Sequence, residues 1–193
     1  MKKTLDEKLG AIEKIISHEE FRSKKGLGNE VTYHIFDYPP EEELKVRSYL
    51  KKLEKKFKTS PQGFELKIYD LYDIMLDLIE EEELLEACIE MEENDGMDYL
   101  ISSVYDLLNM DSDDNYFNTY ILENTPDNSV VFITGVGKIY PFLRAHGILN
   151  KLIIALDGIP MVLFYPGKYD GQSLTLFSLF DDGNYYRALP LIR

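Results

Sequence analysis

The chain has 193 residues, 45% of them hydrophobic, with one cysteine and a formal net charge of −14 at pH 7. A chain of this length is expected to bury about 70% of its unfolded surface around one core. The single cysteine excludes an intramolecular disulfide bond. No run approaches the roughly 18 apolar residues of a membrane helix, and no apolar signal core follows the first residues, so we expect a cytoplasmic protein without a membrane anchor.

The N-terminal part predicts two amphipathic helices and two strands. Thr4 is a suitable N-cap for the first helix, and Pro40 with the carboxylates after it suits the start of the second. One strand is predicted from Thr32 to Phe36, and another over residues 64–68, where alternating apolar and charged residues predict one solvated face. The apolar stripes of the helices are Leu5, Leu9, Ile12 and Ile16, and then Val46, Leu50, Leu53 and Phe57.

Residues 70–123 are predicted to be an acidic helical insertion in a single domain that spans residues 1–193. Asp70 is expected to cap the first helix of this insertion. Between Lys67 and Lys138 there are 19 Asp and Glu and no Lys or Arg. This acidity is either a solvated face that aids solubility or a docking surface for a basic partner, and both interpretations stay open.

The charge distribution argues against DNA as a partner. Residues 1–123 carry 30 acidic and 15 basic side chains, a net of −15, and residues 124–193 carry 5 acidic and 6 basic, a net of +1. Because phosphate contacts need Lys and Arg, the acidic part would repel nucleic acid. We therefore expect no direct binding to duplex DNA.

The C-terminal third contains two fully apolar runs, Val130–Thr134 and Met161–Tyr165, which are typical of strands buried on both faces in a parallel sheet. A helix is predicted between them from Tyr140 to about Ala155, with a break at Gly147, and two short strands follow near Leu174–Leu179 and Tyr185–Leu189. The order of elements predicts an α/β, Rossmann-like fold, in which helices flank a mostly parallel sheet with right-handed crossovers.

The segment Gly135-Val136-Gly137-Lys138 invites comparison with a phosphate-binding loop. That motif needs a glycine where this chain has Phe132, and a Ser or Thr where it has Ile139. We instead predict a tight turn whose small residues let the next helix pack closely. A weak anion site made by backbone N–H groups, with help from Lys138 and Arg144, stays open.

No other segment predicts a catalytic, cofactor-binding or metal site. Asp111, Asp113 and Asn115 resemble the opening of a calcium-binding loop, but Tyr116 and Leu122 occupy the places that need glycine and glutamate. A solvated loop is the prediction there.

A partner-binding surface is predicted where the two apolar strands end. Ligands and partners of open α/β sheets meet the carboxyl ends of the strands. Aromatic and cationic side chains are frequent anchors in interfaces, although packing at a sheet edge would also account for the aromatic residues. The predicted residues are Lys138, Tyr140, Pro141, Arg144, Tyr165, Pro166, Lys168 and Tyr169.

Four segments resemble the BrxB family of bacteriophage-exclusion (BREX) systems, in the family's order. They are Lys25–Glu30 with Ile35–Glu41, Phe132–Gly137 with Tyr140–Phe142, Tyr165–Gly167 with Tyr169–Leu174, and Asn184–Ala188. The resemblance implies a cytoplasmic protein of an antiphage operon that also encodes a large ATPase, an adenine methyltransferase and a phosphatase-like protein of the PglZ type. It implies an accessory subunit without an established enzymatic activity.

We therefore expect a non-enzymatic protein-interaction subunit of a BREX-type antiphage defence complex. Its partners would be other BREX subunits, with the PglZ-like phosphatase-fold protein first and the ATPase second, and no cofactor is predicted. A homodimer also stays open, because exposed aromatic residues favour self-association. The alternative function is a degenerate nucleotide-binding enzyme or sensor that uses the same strand-exit loops.

Overall fold

The computed structural model describes residues 3–23, 33–60, 62–112, 114–156, 158–181 and 183–192. Its strands are β1 (Tyr33–Tyr38), β2 (Glu65–Asp70), β3 (Ser129–Thr134), β4 (Met161–Tyr169), β5 (Leu174–Leu176), β6 (Phe180–Asp181) and β7 (Ala188–Pro190). Its helices are α1 (Leu5–Ser17), α2 (Glu19–Arg22), α3 (Glu43–Thr59), α4 (Leu71–Glu81), α5 (Leu85–Asp95), α6 (Met97–Leu107), α7 (Tyr116–Glu123), α8 (Val136–Ile139) and α9 (Ala145–Ala155). The family-like segment Lys25–Glu30, the predicted strand start at Thr32 and the loop residue Asp113 lie outside these ranges.

The strands form one seven-stranded sheet, and its five central strands are parallel in the order β2-β3-β4-β1-β7. The remaining two extend one end of β4, because β5 pairs antiparallel with β4 and β6 with β5. The prediction of an α/β, Rossmann-like fold with a mostly parallel sheet is confirmed.

Helices cover both faces of the sheet and divide the core into two apolar layers. Alternate strand residues such as Phe132 and Phe164 pack with α1 and α3, whereas Ile133 and Leu163 pack with helices α4 to α9. All six residues of β3 are buried. Because both faces of the central strands are covered, these strands need continuous apolar runs, as the sequence predicts.

The predicted N-caps of α1 and α4 are confirmed, whereas Pro40 begins a short 3-10 turn, Pro40–Glu42, that precedes α3. Thr4 and Glu7 form a reciprocal capping box at the start of α1. The carboxylate of Asp70 accepts hydrogen bonds from the backbone N–H groups of Tyr72 and Asp73, and so caps α4. The predicted apolar stripe of α3 is buried at all four positions.

The solvated face predicted from Glu65 and Lys67 does not extend to the carboxyl end of β2. Tyr69 follows Glu65 and Lys67 on that face, yet its side chain is buried. Its ring lies 6.5 Å from the ring of Tyr120, and its hydroxyl shares a hydrogen bond with Thr125. The helices that connect β2 to β3 therefore cover this end of the face.

The predicted helix from Tyr140 to Ala155 is also wrong in its start and its break. The chain forms the short α8, then a non-helical segment, and then α9, which passes through Gly147 without interruption. The break lies before Pro141, because proline disfavours the helical conformation in the preceding residue. Tyr140 accordingly has extended angles, φ −66° and ψ 133°.

Strand β4 continues four residues beyond the predicted exit at Tyr165. Its first part pairs with parallel strands, and Gly167–Tyr169 then pair antiparallel with β5. A Cβ atom on Gly167 would lie 2.1 Å from the carbonyl oxygen of Thr175, so only glycine allows the two strands to approach here. In the part of the chain that the structure describes, no helix is long and apolar enough to span a membrane.

Candidate functional site

A cavity of about 330 Å³ lies where α8, β4 and the hairpin formed by β5 and β6 meet. We call it the aromatic cavity. Its buried lining consists of Val136, Leu143, Tyr165 and Leu176. Its rim consists of Tyr140, Arg144, Leu179, Phe180 and Asp181.

Aromatic side chains form one side of this rim. The ring of Tyr140 stacks on that of Phe180 at 5.6 Å and 27°, and meets the ring of Phe177 edge-on at 6.3 Å. Leu179 is 77% exposed and Phe180 is 48% exposed beside it. Large apolar side chains that stay in water beside a concave site are typical of interaction surfaces.

The glycines that follow β3 allow the close packing at this site. Gly135 has a left-handed φ of +78°, and a Cβ atom there would lie 2.2 Å from Oδ1 of Asp70. A Cβ atom on Gly137 would lie 2.9 Å from Cε1 of Phe177 and 3.1 Å from Cγ of Pro166. The tight-turn interpretation of this segment is confirmed, because both positions require glycine.

Lys138 is held within the chain and does not point freely toward a partner. Its ammonium lies 2.7 Å from Oδ2 of Asp70 and 2.7 Å from Oδ1 of Asp73. Burial lowers the pKa of Lys138, but the hydrogen bonds to Asp70 and Asp73 outweigh that effect, and the pKa is raised overall. The two carboxylates neutralise the lysine, which weakens the argument for an anion site at this turn.

Three of the eight predicted partner-binding residues line the aromatic cavity, namely Tyr140, Arg144 and Tyr165. Tyr165 is buried in its wall, whereas Arg144 is exposed at its rim. β3 and β4 are neighbours in the sheet, so the chain segments that follow them meet there. The grouping of Tyr140 with Tyr165 is therefore confirmed.

The other predicted residues lie outside the lining of the cavity. Pro141 is exposed next to Tyr140, and Pro166 is buried. Lys168 is exposed further along β4. The hydroxyl of Tyr169 donates a hydrogen bond of 2.8 Å to the carbonyl of Ala188, which directs it toward β7.

Sequence reasoning missed the wall that the hairpin contributes. Phe177 and Ser178 both have positive φ, 52° and 58°, without being glycine, so no glycine or proline marked the bend. The adjacent pair Leu179-Phe180, followed directly by two aspartates, was the one available signal. Two large apolar residues next to charges at a turn indicate an exposed apolar patch.

A lysine of α9 binds the loop between α6 and α7. Nζ of Lys151 donates hydrogen bonds to the carbonyl oxygens of Met110, Asp111 and Ser112, at 3.1, 2.9 and 2.6 Å. Asn115 is buried, and its Oδ1 caps α7. Among the described residues, which do not include Asp113, no group of three or more His, Cys, Asp or Glu is placed to hold a metal ion.

Comparisons with known proteins agree with one another. The family model described as BREX protein BrxB matches residues 67–191. A BREX protein BrxB of Bacillus cereus (strain H3081.97) is 39% identical over 97% of this chain and 97% of its own length. A BREX protein BrxB of Escherichia coli O9:H4 (strain HS) is 28% identical over 97% of this chain and 92% of its own length. The search of solved structures gives no significant match. The chain belongs to the BrxB family of BREX proteins.

Proposed function

We propose that this chain is a non-enzymatic interaction subunit of a BREX-type antiphage defence complex, and that another BREX subunit docks at the aromatic cavity. Family membership supports the assignment to the BREX system. The single observation that carries the docking site is the cavity itself, with its apolar floor and its exposed rim residues Leu179 and Phe180.

The lining of the cavity indicates what would enter it. A cavity of about 330 Å³ with a buried apolar floor fits a few apolar or aromatic side chains of a partner. Arg144 at the rim favours a carboxylate beside these anchors, because an arginine binds a carboxylate through two parallel hydrogen bonds. We propose the PglZ-like phosphatase-fold subunit as the first partner to test, and the BREX ATPase as the second.

Two observations support a role without catalysis. Among the residues that the structure describes, Arg144 and Asp181 are the only charged ones that line the cavity. The lysine of the glycine turn, Lys138, is engaged by two carboxylates, and the chain lacks the residues of a phosphate-binding loop.

Co-purification of the tagged chain with each BREX subunit tests the proposal. Leu179→Asp places a charge on the rim, and we expect it to reduce recovery of the partner at least tenfold. Leu44→Asp is the matched control, because Leu44 is also 77% exposed but lies on α3, on the opposite face of the sheet. Arg144→Glu should weaken docking as well, whereas Lys51→Glu on α3 should not.

Equal recovery with Leu179→Asp and Leu44→Asp would contradict docking at the cavity. Failure to recover any BREX subunit with the unaltered chain would contradict the interaction role. Calorimetric titration with ATP and GTP, followed by product analysis, examines the alternative. Turnover that Leu179→Asp abolishes would show that the site is catalytic.

A further inference from the structure

A second surface is formed by α5 and α6, which Gly96 joins into a pair of helices over residues 85–107. We call this pair the acidic hairpin. α5 has eleven residues and none of them is buried. Its half-buried residues Cys88 and Met91 contact the core, while Leu85 and Ile89, one turn apart on another face, are 38% and 50% exposed.

The second helix of the acidic hairpin, α6, also exposes apolar side chains. Met97, Ile101 and Tyr105 follow one another at intervals of one turn along α6. Met97 is 42% exposed, Tyr105 is 37% exposed and Ile101 is half-buried. Both helices therefore leave apolar side chains in water although each packs against its neighbours in the fold.

The charged residues of the acidic hairpin are all of one sign. Residues 85–107 contain seven acidic side chains and no basic one. On protein surfaces the aliphatic stems of Lys and Arg can cover exposed apolar residues. This segment has no such residue to do so, and the nearest in sequence are Lys67 and Lys138.

We propose that the acidic hairpin binds a basic amphipathic helix of another protein. The apolar face of such a helix would cover Leu85 and Ile89, and its Lys and Arg side chains would meet the carboxylates beside them. Docking of an amphipathic helix onto a helical surface is a common mode of peptide recognition, with anchors at one-turn intervals. The proposal does not depend on docking at the aromatic cavity, which is made of other elements.

The same charges disfavour other occupants. Nucleic acids and anionic lipid surfaces carry negative charge and would be repelled by seven carboxylates. A second acidic hairpin would be repelled for the same reason. The basic helix α3 of a second copy has seven Lys and Arg against two Glu, but its apolar stripe is already buried and Leu44 is its one exposed large aliphatic residue.

The test uses the full chain and a fluorescent synthetic peptide of leucine and lysine, in which leucine recurs every three or four residues and forms one apolar face. A shuffled peptide of the same composition, with no apolar face, is its control. Fluorescence anisotropy gives the two dissociation constants. We expect the amphipathic peptide to bind at least tenfold more tightly, because charge alone would hold both peptides equally.

Two double variants locate the binding surface. Leu85→Ser with Ile89→Ser should weaken binding of the amphipathic peptide at least tenfold. Leu44→Ser with Ile154→Ser removes the same residue types from positions that are each 77% exposed, and it should leave the affinity within about twofold. Circular dichroism confirms that both variants are folded.

Three results would overturn the proposal. The first is equal affinity for the amphipathic and shuffled peptides, and the second is unchanged affinity in Leu85→Ser with Ile89→Ser. The third is self-association in sedimentation velocity that this double variant abolishes, because the surface would then be covered by a second copy of the chain.

Discussion

Gly135, which follows β3, allows close contact with Asp70 at the end of β2. Its φ of +78° lies in the left-handed region, and Asp70 occupies the space where a side chain would begin. Asp70 in turn caps α4 and pairs with Lys138. A side chain at position 135 would therefore disturb a cap, an ion pair and the turn at once.

We predict that Gly135→Ala lowers the free energy of unfolding by about 1–3 kcal/mol, because it combines backbone strain with a steric clash. Urea denaturation measures this change. Gly147→Ala is the matched control, because Gly147 lies inside α9 and a Cβ atom there meets nothing within 4 Å. It should raise the stability by about 0.5–1 kcal/mol through its better helix propensity. Equal effects of the two changes would contradict the role given to Gly135.

The burial of His34 on β1 predicts that the free energy of unfolding depends on pH. It is half-buried, with its ring 4.9 Å from that of Phe21, and burial lowers its pKa. The unfolded chain therefore takes up a proton before the folded chain does, and this residue costs stability as the pH falls below about 6.5.

The free energies of unfolding of the native chain and of His34→Phe test this sign. Their difference should change in favour of the variant between about pH 7.5 and about pH 5.5. Taking the difference cancels the titration of the carboxylates that both proteins share. A difference that does not vary with pH would show that His34 titrates alike in the folded and unfolded chains.

At the scale of single residues, the sequence predicts local contacts well and distant ones poorly. The capping roles of Thr4 and Asp70 follow from their immediate neighbours, and the structure confirms both. The partners of Lys138 and Lys151 lie 65 and about 40 positions away. No local pattern reveals that these two cations are already engaged.

The helices differ in how firmly the fold holds them. α3 buries Val46, Leu50, Leu53 and Phe57, whereas α5 buries no residue completely. Because local opening is easiest where few apolar contacts hold an element, α5 should open more often than α3.

Hydrogen exchange measured by mass spectrometry tests this difference. We expect the backbone amides of α5 to exchange at least tenfold faster than those of α3, which corresponds to an opening free energy lower by about 1.4 kcal/mol. The exchange of α5 should slow when the amphipathic peptide is added. Equal protection of the two helices in the free protein would mean that the acidic hairpin is as firmly packed as the core.

Elements are predicted best where their apolar periodicity is strong. The stripes of α1 and α3 and the apolar run of β3 all correspond to buried faces. The errors fall where a proline ends an element, as before Pro141, and where a strand continues onto a new partner strand, as along β4. The sequence analysis missed three rim residues of the cavity that belong to the hairpin of β5 and β6, namely Leu179, Phe180 and Asp181, because the turn before them contains no glycine or proline.

Charge is separated across the whole molecule. α3, with its excess of basic side chains, lies on one face of the sheet, and the acidic helices α4 to α7 lie on the other. Repulsion among the 19 acidic residues between Lys67 and Lys138 opposes the compact state, and dissolved salt screens that repulsion.

We therefore predict that the melting temperature rises with ionic strength. Differential scanning calorimetry in low and moderate sodium chloride measures the change, and each kcal/mol of relieved repulsion corresponds to about 2–4 °C for a chain of this size. A fall in melting temperature with added salt would mean that the surface ion pairs, such as Lys56 with Glu13, outweigh the repulsion.

The fold class could be predicted from the sequence, but the strand order could not. Alternating strands and helices specify a parallel sheet, and handedness fixes the side on which each connection lies. Nothing in the sequence states that β1 lies between β4 and β7, because long connections leave several neighbours within reach. The aromatic cavity depends on that arrangement and on β5, so its shape could not be predicted.

The two sides of the aromatic cavity are paired differently along β4. One side belongs to the parallel sheet, whereas the other is the ribbon of β5 and β6, whose own pairing involves only two residues on each strand, so we expect the ribbon to be the more flexible side. A large side chain of a partner would then widen the opening of the cavity by bending this ribbon, without moving the central strands. Under the proposed docking, BrxB proteins that differ only in the ribbon would bind partner side chains of different shape on the same central strands.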